Sequence, residues 1–438
     1  MSLNVKTFYQ ATNPGKALFT DNQEIEEKYY IDFSSVRGGK IIEDLKDNIA
    51  MWSPDEPTCQ LFTGHIGCGK STELWLLKQQ LEAEGFHVVY FESDKDLEMG
   101  DLDVSDILLT IARQVIESLN TREKLNLGEP TRLNSLIERA IKLLQTEIEI
   151  SPEVELSFGI AKITAQAKAS PQLRSKLRDY LGPRTNGIIE TINQELLEPA
   201  HKKLKQRSKN GLVVIVDNLD KVDSSPKPWG RPQPEYLFVD RGEQLASLHC
   251  HVIYTLPLAL RFSNDFNTLT QRFKSDPQVL PMVSIQLRDG KEFGEGMAKL
   301  RQLVLARAFP HLEEQQRLEK ITEIFDSTET LDYLCKMSGG HVRNILRILN
   351  DAIKKQKGLP ISSENLNKVI QNFRNERTLA VEDQEWELLR QVAQTQKVTG
   401  DDGYQRLIRS MFVYEYRDDE GSWFDINPIL KDSVELKK

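Results

Sequence analysis

Eight residues, Gly64-His65-Ile66-Gly67-Cys68-Gly69-Lys70-Ser71, constrain this chain more than any other stretch. The apolar run Cys59-Gln60-Leu61-Phe62-Thr63 leads into them and reads as a buried strand. The text from Ser71 through Leu74, Leu77 and Leu81 leads out at helical spacing and stops at Gly85. Strand, glycine turn and helix in that order form a cradle for closely packed negative charge. The glycines let the backbone turn without side-chain bulk and aim its N–H groups inward, and the helix dipole favours an anion there. Lys70 then falls where it meets β- and γ-phosphates, and the Ser71 hydroxyl where it ligates Mg²⁺. The expected ligand is a nucleoside triphosphate, taken as ATP with Mg²⁺, cradled by residues 64–71 and Thr72.

Other apolar runs extend the pattern. Val88-Val89-Tyr90-Phe91 reads as a second strand, followed by a helix carrying Ile107, Leu108, Ile111, Val115 and Leu119. Strand text returns at Leu212-Val213-Val214-Ile215-Val216, at His251-Val252-Ile253-Tyr254-Thr255 and at Val283-Ser284-Ile285-Gln286-Leu287, continuous enough for a sheet covered on both faces. Residues 120–208 break the rhythm and read as an insertion, helical except for Val154-Glu155-Leu156-Ser157-Phe158, which alternates like a half-exposed strand. The predicted fold class is therefore α/β, a parallel sheet flanked by helices, in four parts: a lead-in (1–57), a nucleotide domain (58–290), a helical lid (291–378) and a winged-helix-like end (379–438). That last part carries helical text at 386–392 and 404–409, then strand-like runs at 411–416 and 423–426.

A second acid is needed to hold Mg²⁺ or its water, at the end of a later strand on the sheet's carboxyl edge. Asp217, closing the run Val213-Val214-Ile215-Val216, fits. A group to activate water should follow it closely. Asn218 cannot take a proton, which leaves Asp220 as the candidate.

These residues resemble the AAA+ and STAND branches of the P-loop ATPases over about residues 30–355. VVIVDNLD is similar to the STAND pattern of four apolar residues, Asp, a small residue, an apolar residue and a second acid, and the resemblance implies that Asp220 is catalytic. Thr255 falls where such ATPases keep a polar sensor for the γ-phosphate, although the chain continues Leu256-Pro257 where STAND proteins have an arginine before proline; Arg261 is the nearest substitute. Ser338-Gly339-Gly340-His341-Val342-Arg343 resembles the second sensor of origin-recognition-type initiators, and implies that Arg343 starts a lid helix and reaches the γ-phosphate. Arg37 stands where the family places a loop against the adenine. Arg272 is a candidate for the arginine that such proteins lend to a neighbouring subunit in a nucleotide-dependent homo-oligomer.

Composition narrows what the nucleotide is for. A hydrophobic fraction of 39% with 28% charged residues is that of a globular chain, and no apolar run approaches bilayer length. The start of the chain shows no basic segment followed by an apolar stretch, so the expected location is cytoplasmic, with no membrane partner. The four cysteines have no metal-ligand spacing, and Cys68 reads as a small side chain that fits its loop. His65 reads as a loop-lining residue. A net charge of -9 opposes an electrostatic grip on nucleic acid, and residues 379–438 hold 8 Lys or Arg against 13 Asp or Glu. The basic run Lys202-Lys203-Leu204-Lys205-Gln206-Arg207-Ser208-Lys209 reads as a solvated helix end. The favoured function is a slow ATP-hydrolysing switch acting on a protein partner. An initiator-like DNA-binding ATPase is the alternative, and a small-molecule kinase a third reading.

Overall fold

The computed structural model describes residues 3–437 apart from 17, 19–26, 126–129 and 144–155. By its internal contacts the chain divides into two compact units. One comprises Ile42–Thr63 and Glu73–Gln278, the other Met1–Ile41, Gly64–Thr72 and Val279–Lys438.

The first of these is built on the predicted apolar strands. β1 (Cys59–Gly64), β2 (Phe86–Glu92), β3 (Gly211–Asp217) and β4 (His251–Thr255) pair in parallel, and with β5 (Gln278–Leu280) the sheet order is β2-β3-β4-β1-β5. β3 is an interior strand, between β2 and β4, and buried along its whole length, which is why Leu212 to Val216 shows no alternation: both faces are covered. The helix Val104–Arg122 supplies much of that cover. It starts with a capping box in which Asp103 and Asp106 satisfy each other's backbone N–H groups, and its Ile107, Leu108, Ile111, Val115 and Leu119 are fully buried. The expected strand at 154–158 does not form where the structure describes it. Residues 154 and 155 lie outside the described residues, and Leu156–Ala169 is a helix. Ile160, Ile163 and Ala167 recur at helical spacing and are buried, so the apolar stripe outweighs three residues of alternation.

The other unit is largely helical. Its core gathers Met297, Leu300, Val304, Leu331, Leu334, Ile345, Ile348, Leu349 and Leu366, drawn from the helices Gly294–Ala308, Thr328–Ser338, Val342–Gln356 and Ser363–Thr378. Helices Asp383–Thr395 and Asp402–Arg409 follow, and then an antiparallel hairpin of β6 (Val413–Asp418) and β7 (Gly421–Ile426). Tyr416 and Trp423 face each other across this hairpin, stacked with ring centroids 4.6 Å apart.

The expected strand at 283–287 is also corrected. The short strand β5 comes earlier, and residues 283–287 belong to no strand. Their backbone donors go elsewhere in the helical unit. Val283 N donates to Gly340 O (3.4 Å) and Ser284 N to Val36 O (3.0 Å), while Phe293 N donates to Ile285 O (2.8 Å). An apolar run with unpaired backbone needs partners, and here loops supply them. Gly340 is essential to this contact. Its φ is +75°, and a Cβ there would sit 1.9 Å from the Val283 carbonyl oxygen. Gly340→Ala should therefore destabilise the protein by about 2 kcal/mol or more, read as a lowered urea midpoint; an unchanged midpoint would contradict this packing.

Candidate functional site

The glycine loop leaves the end of β1 and enters the helix Lys70–Ala83. Gly64, Gly67 and Gly69 all take positive φ (+157°, +87° and +112°). In a loop whose N–H groups turn inward, the carbonyls must turn outward and find donors. Each one here has a donor within the helical unit. Lys70 Nζ donates to Gly64 O (2.8 Å) and His65 O (3.0 Å), curling the ammonium back along its own loop. His341 Nε2 lies 2.9 Å from Ile66 O, Arg343 N donates to Gly67 O (3.1 Å), and Arg37 Nη2 donates to Cys68 O (2.6 Å). Gly67 is required for the close approach of the first turn of the helix Val342–Gln356: a Cβ there would meet His341 Cε1 at 2.8 Å and Arg343 Cβ at 2.9 Å.

Two histidines hold the loop, and their tautomers follow from their partners. His341 caps the helix Val342–Gln356, its Nδ1 accepting from Asn344 N at 3.0 Å, so the proton must lie on Nε2, where it is donated to Ile66 O. His65 Nε2 accepts from Glu415 N (3.0 Å) on β6, so its proton lies on Nδ1. Tyr414 packs between them, stacked with His341 and edge-on to His65, each with centroids 5.7 Å apart. Burial pushes the His65 pKa down to about 3, with the neighbouring His341 and the Lys70 ammonium adding to the effect. Burial likewise pushes His341 down to about 4, against its bond to Ile66, which favours the charged form. Both rings are neutral near pH 7.

The predicted site residues sort into two groups. Beside the loop in the helical unit are Arg37 and Arg343. Arg37 is 2% exposed and clamps the Cys68 carbonyl, with its guanidinium over the Phe33 ring at 5.2 Å. Arg343 is exposed and makes no ion pair among the described residues. Cys68 is fully buried, its Sγ 3.7 Å from Leu280 O, as a small side chain that fits would be.

In the sheet unit, Asp217 closes β3 and is fully buried. Its Oδ1 accepts from Asn218 N (2.7 Å) and its Oδ2 from the Tyr90 hydroxyl (2.8 Å). Thr255 is also fully buried. Its hydroxyl accepts from Leu219 N (2.9 Å) and donates to Val216 O (3.3 Å), so it ties down the turn after β3. Asp220 lies buried in the 3-10 turn Leu219–Lys221. Arg272 is paired with Glu243 in the same unit.

Sequence reading missed Tyr90, His341 as a loop clamp, and Glu92. Glu92 ends β2 in register with Asp217, a fact carried by strand pairing and invisible in any local window. For Mg²⁺ the donor set is suitable in kind: a buried strand-end carboxylate and a helix-start hydroxyl are hard oxygen ligands. Among the described residues no group of three or more His, Cys, Asp or Glu could hold a metal. No described helix is long and apolar enough to cross a membrane.

Strand, glycine loop and helix on a five-stranded sheet define a P-loop α/β fold. No family model matches the chain, and no curated protein matches it. Among solved structures it is similar to a Cdc6p from Pyrobaculum aerophilum, at 11% identity and TM-score 0.38, covering 98% of this chain and 96% of that one. It is similar also to the Aeropyrum pernix ORC2 protein, at 12% identity and TM-score 0.41, covering 98% and 96%. The Aeropyrum pernix ORC1 protein in complex with DNA matches at 12% identity and TM-score 0.33, covering 90% and 91%.

The buried histidines set a direction for acid stability. Their unfolded pKa of 6.5 exceeds the folded values of about 3 and 4, so the unfolded chain binds protons that the folded one refuses. Their contribution is complete above pH 6.5 and is lost progressively as pH falls from there toward the folded values of about 4 and about 3. The melting temperature should fall between pH 7.5 and 5, and the fall should shrink in His341→Asn, which keeps a capping acceptor without the imidazole. An equal fall in that variant would refute the assignment.

Proposed function

We propose that this chain is an ATP-binding, ATP-hydrolysing P-loop protein of the AAA+ type, in which nucleotide state is passed to a partner. The observation that carries the reading is the outward capping of the loop carbonyls, because it leaves the loop N–H groups for a phosphate. Lys70 contacts the β- and γ-phosphates and Ser71 and Asp217 hold Mg²⁺. Arg343, exposed beside the loop, is the candidate γ-phosphate sensor. Water activation falls to a carboxylate on the Asp217 edge, Asp220 being the one the family resemblance implies.

Two readings of the partner stand. A switch of the STAND kind acts on a protein. An initiator-like ATPase acts on DNA, and the solved structures named above are of this second kind, one of them in complex with DNA. The charge of residues 379–438 opposes it, since the hairpin turn carries Asp418, Asp419 and Glu420 and like charge repels phosphate. An acidic turn does not exclude contact through the helix Asp402–Arg409, whose Arg406 and Arg409 lie in its last turn.

Lys70→Ala should weaken binding of a fluorescent ATP analogue by about 10- to 100-fold, the loss of one charge-assisted phosphate contact; unchanged affinity would remove the loop from its role. A gel-shift titration on duplex DNA at low salt separates the two partners. Retarded bands that disappear as salt rises support the initiator reading, and no retardation at the lowest salt rules it out.

A further inference from the structure

The residue directly after Asp217 points to a different carboxylate. Asn218 stands in the left-handed region, with φ +65°, and this turns its side chain back across the sheet's carboxyl edge. Its Nδ2 donates to Glu92 Oε2 (3.3 Å) and to Asp94 Oδ1 (2.8 Å). Glu92 is the last residue of β2 and the register partner of Asp217, so the two acids end adjacent strands side by side. Asp94 is already committed, to the Lys221 ammonium at 2.8 Å. Glu92 has Lys95 at 2.9 Å, but that lysine is 69% exposed, and the Glu92 side chain keeps a quarter of its surface open to solvent. Asp220 is 7% exposed, within a turn whose first N–H is pinned by Thr255.

A group that activates water must be reachable by water, must be aimed, and must lie beside the metal ligand. Glu92 meets all three conditions: partly open, held by Asn218, and next in the sheet to Asp217. We propose that Glu92, positioned by Asn218, is the carboxylate that orients the attacking water and takes its proton. The proposal rests on the ATPase reading above. In the step it serves, the water oxygen bonds to the γ-phosphorus as the bond from that phosphorus to the β,γ-bridging oxygen breaks. The electron pair of the broken bond leaves with ADP, and the proton passes from water to the Glu92 carboxylate and on to solvent. Asn218, which cannot accept a proton, is then a positioning residue whose amide holds Glu92 Oε2, while Oε1 faces the solvent-exposed Lys95 ammonium, a surface pair that water can replace.

The test compares wild type, Glu92→Gln, Asn218→Ala and Asp220→Asn in the full chain. Affinity for a fluorescent ATP analogue with Mg²⁺ and single-turnover hydrolysis of radiolabelled ATP are measured side by side, with thermal melts to confirm folding. Glu92→Gln keeps its size and can still accept from Asn218. It should bind within about threefold of wild type and hydrolyse about 100-fold more slowly or worse, the usual weight of a general base. Asn218→Ala should lower turnover about tenfold with affinity kept. A loss in Asp220→Asn at least tenfold smaller than that in Glu92→Gln supports the assignment. Glu92→Gln turning over within threefold of wild type, or Asp220→Asn showing the larger loss, overturns it while leaving the ATPase reading intact. A wild-type chain that binds the analogue without hydrolysing ATP also overturns it, and one that binds no nucleotide overturns both readings.

Discussion

The helical unit depends on how the loop at 64–68 disposes of its carbonyls. A backbone cannot aim successive N–H groups to one side without sending carbonyls to the other, and a buried carbonyl without a donor costs about 1–3 kcal/mol. Here the donors are an ammonium, an imidazole, a guanidinium and a backbone amide, contributed by Lys70, His341, Arg37 and Arg343. Two of these carry full charge, and bonds from charged donors are the stronger kind. The loop is therefore held from outside in the form that a phosphate needs on its inside.

The same economy appears in the sheet unit, where each group near Asp217 is fixed by a partner of its own. Tyr90 and the Asn218 amide occupy one oxygen each of Asp217, and Thr255 pins Leu219. Each of these bonds is neutral or singly charged. The buried carboxylate thus accepts directed donors on both of its oxygens. Thr255, read from sequence as a phosphate sensor, spends its hydroxyl on this scaffold.

What was legible in the sequence was whatever depends on local period and composition. The runs at 59–63, 88–91, 212–216 and 251–255 became strands because continuous β-branched and apolar text has few other uses at that length. The run at 283–287 has similar composition and failed, because its backbone partners are Gly340, in a turn, and Val36, in the 3-10 turn Ser34–Val36, both distant in sequence. The alternation before Gly159 gave way to a helix whose stripe lies mostly after it. The glycine loop is local and was readable, whereas Glu92 and Tyr90 come beside Asp217 only through the register of β2 on β3. Arg37 was noticed as an adenine-side residue and His341 as part of a motif; both also hold loop carbonyls, a role with no sequence period at all.

His341 ties two events into one. Its Nε2 holds a loop carbonyl and its Nδ1 accepts from Asn344 N in the first turn of a fifteen-residue helix, so neither bond can be kept if the loop and the helix start move independently. Tyr414 stacks on that same ring, and its hydroxyl accepts from Asn344, the residue whose backbone His341 caps. A shift of Ile66 by a fraction of an ångström must then be followed by the helix turn at 341–344 and by β6, or be resisted by both. Resistance is what close packing provides until a second arrangement becomes available, and coupling of this kind works between discrete states. The physical consequence is that the conformation of the glycine loop and the position of the C-terminal hairpin share one set of bonds.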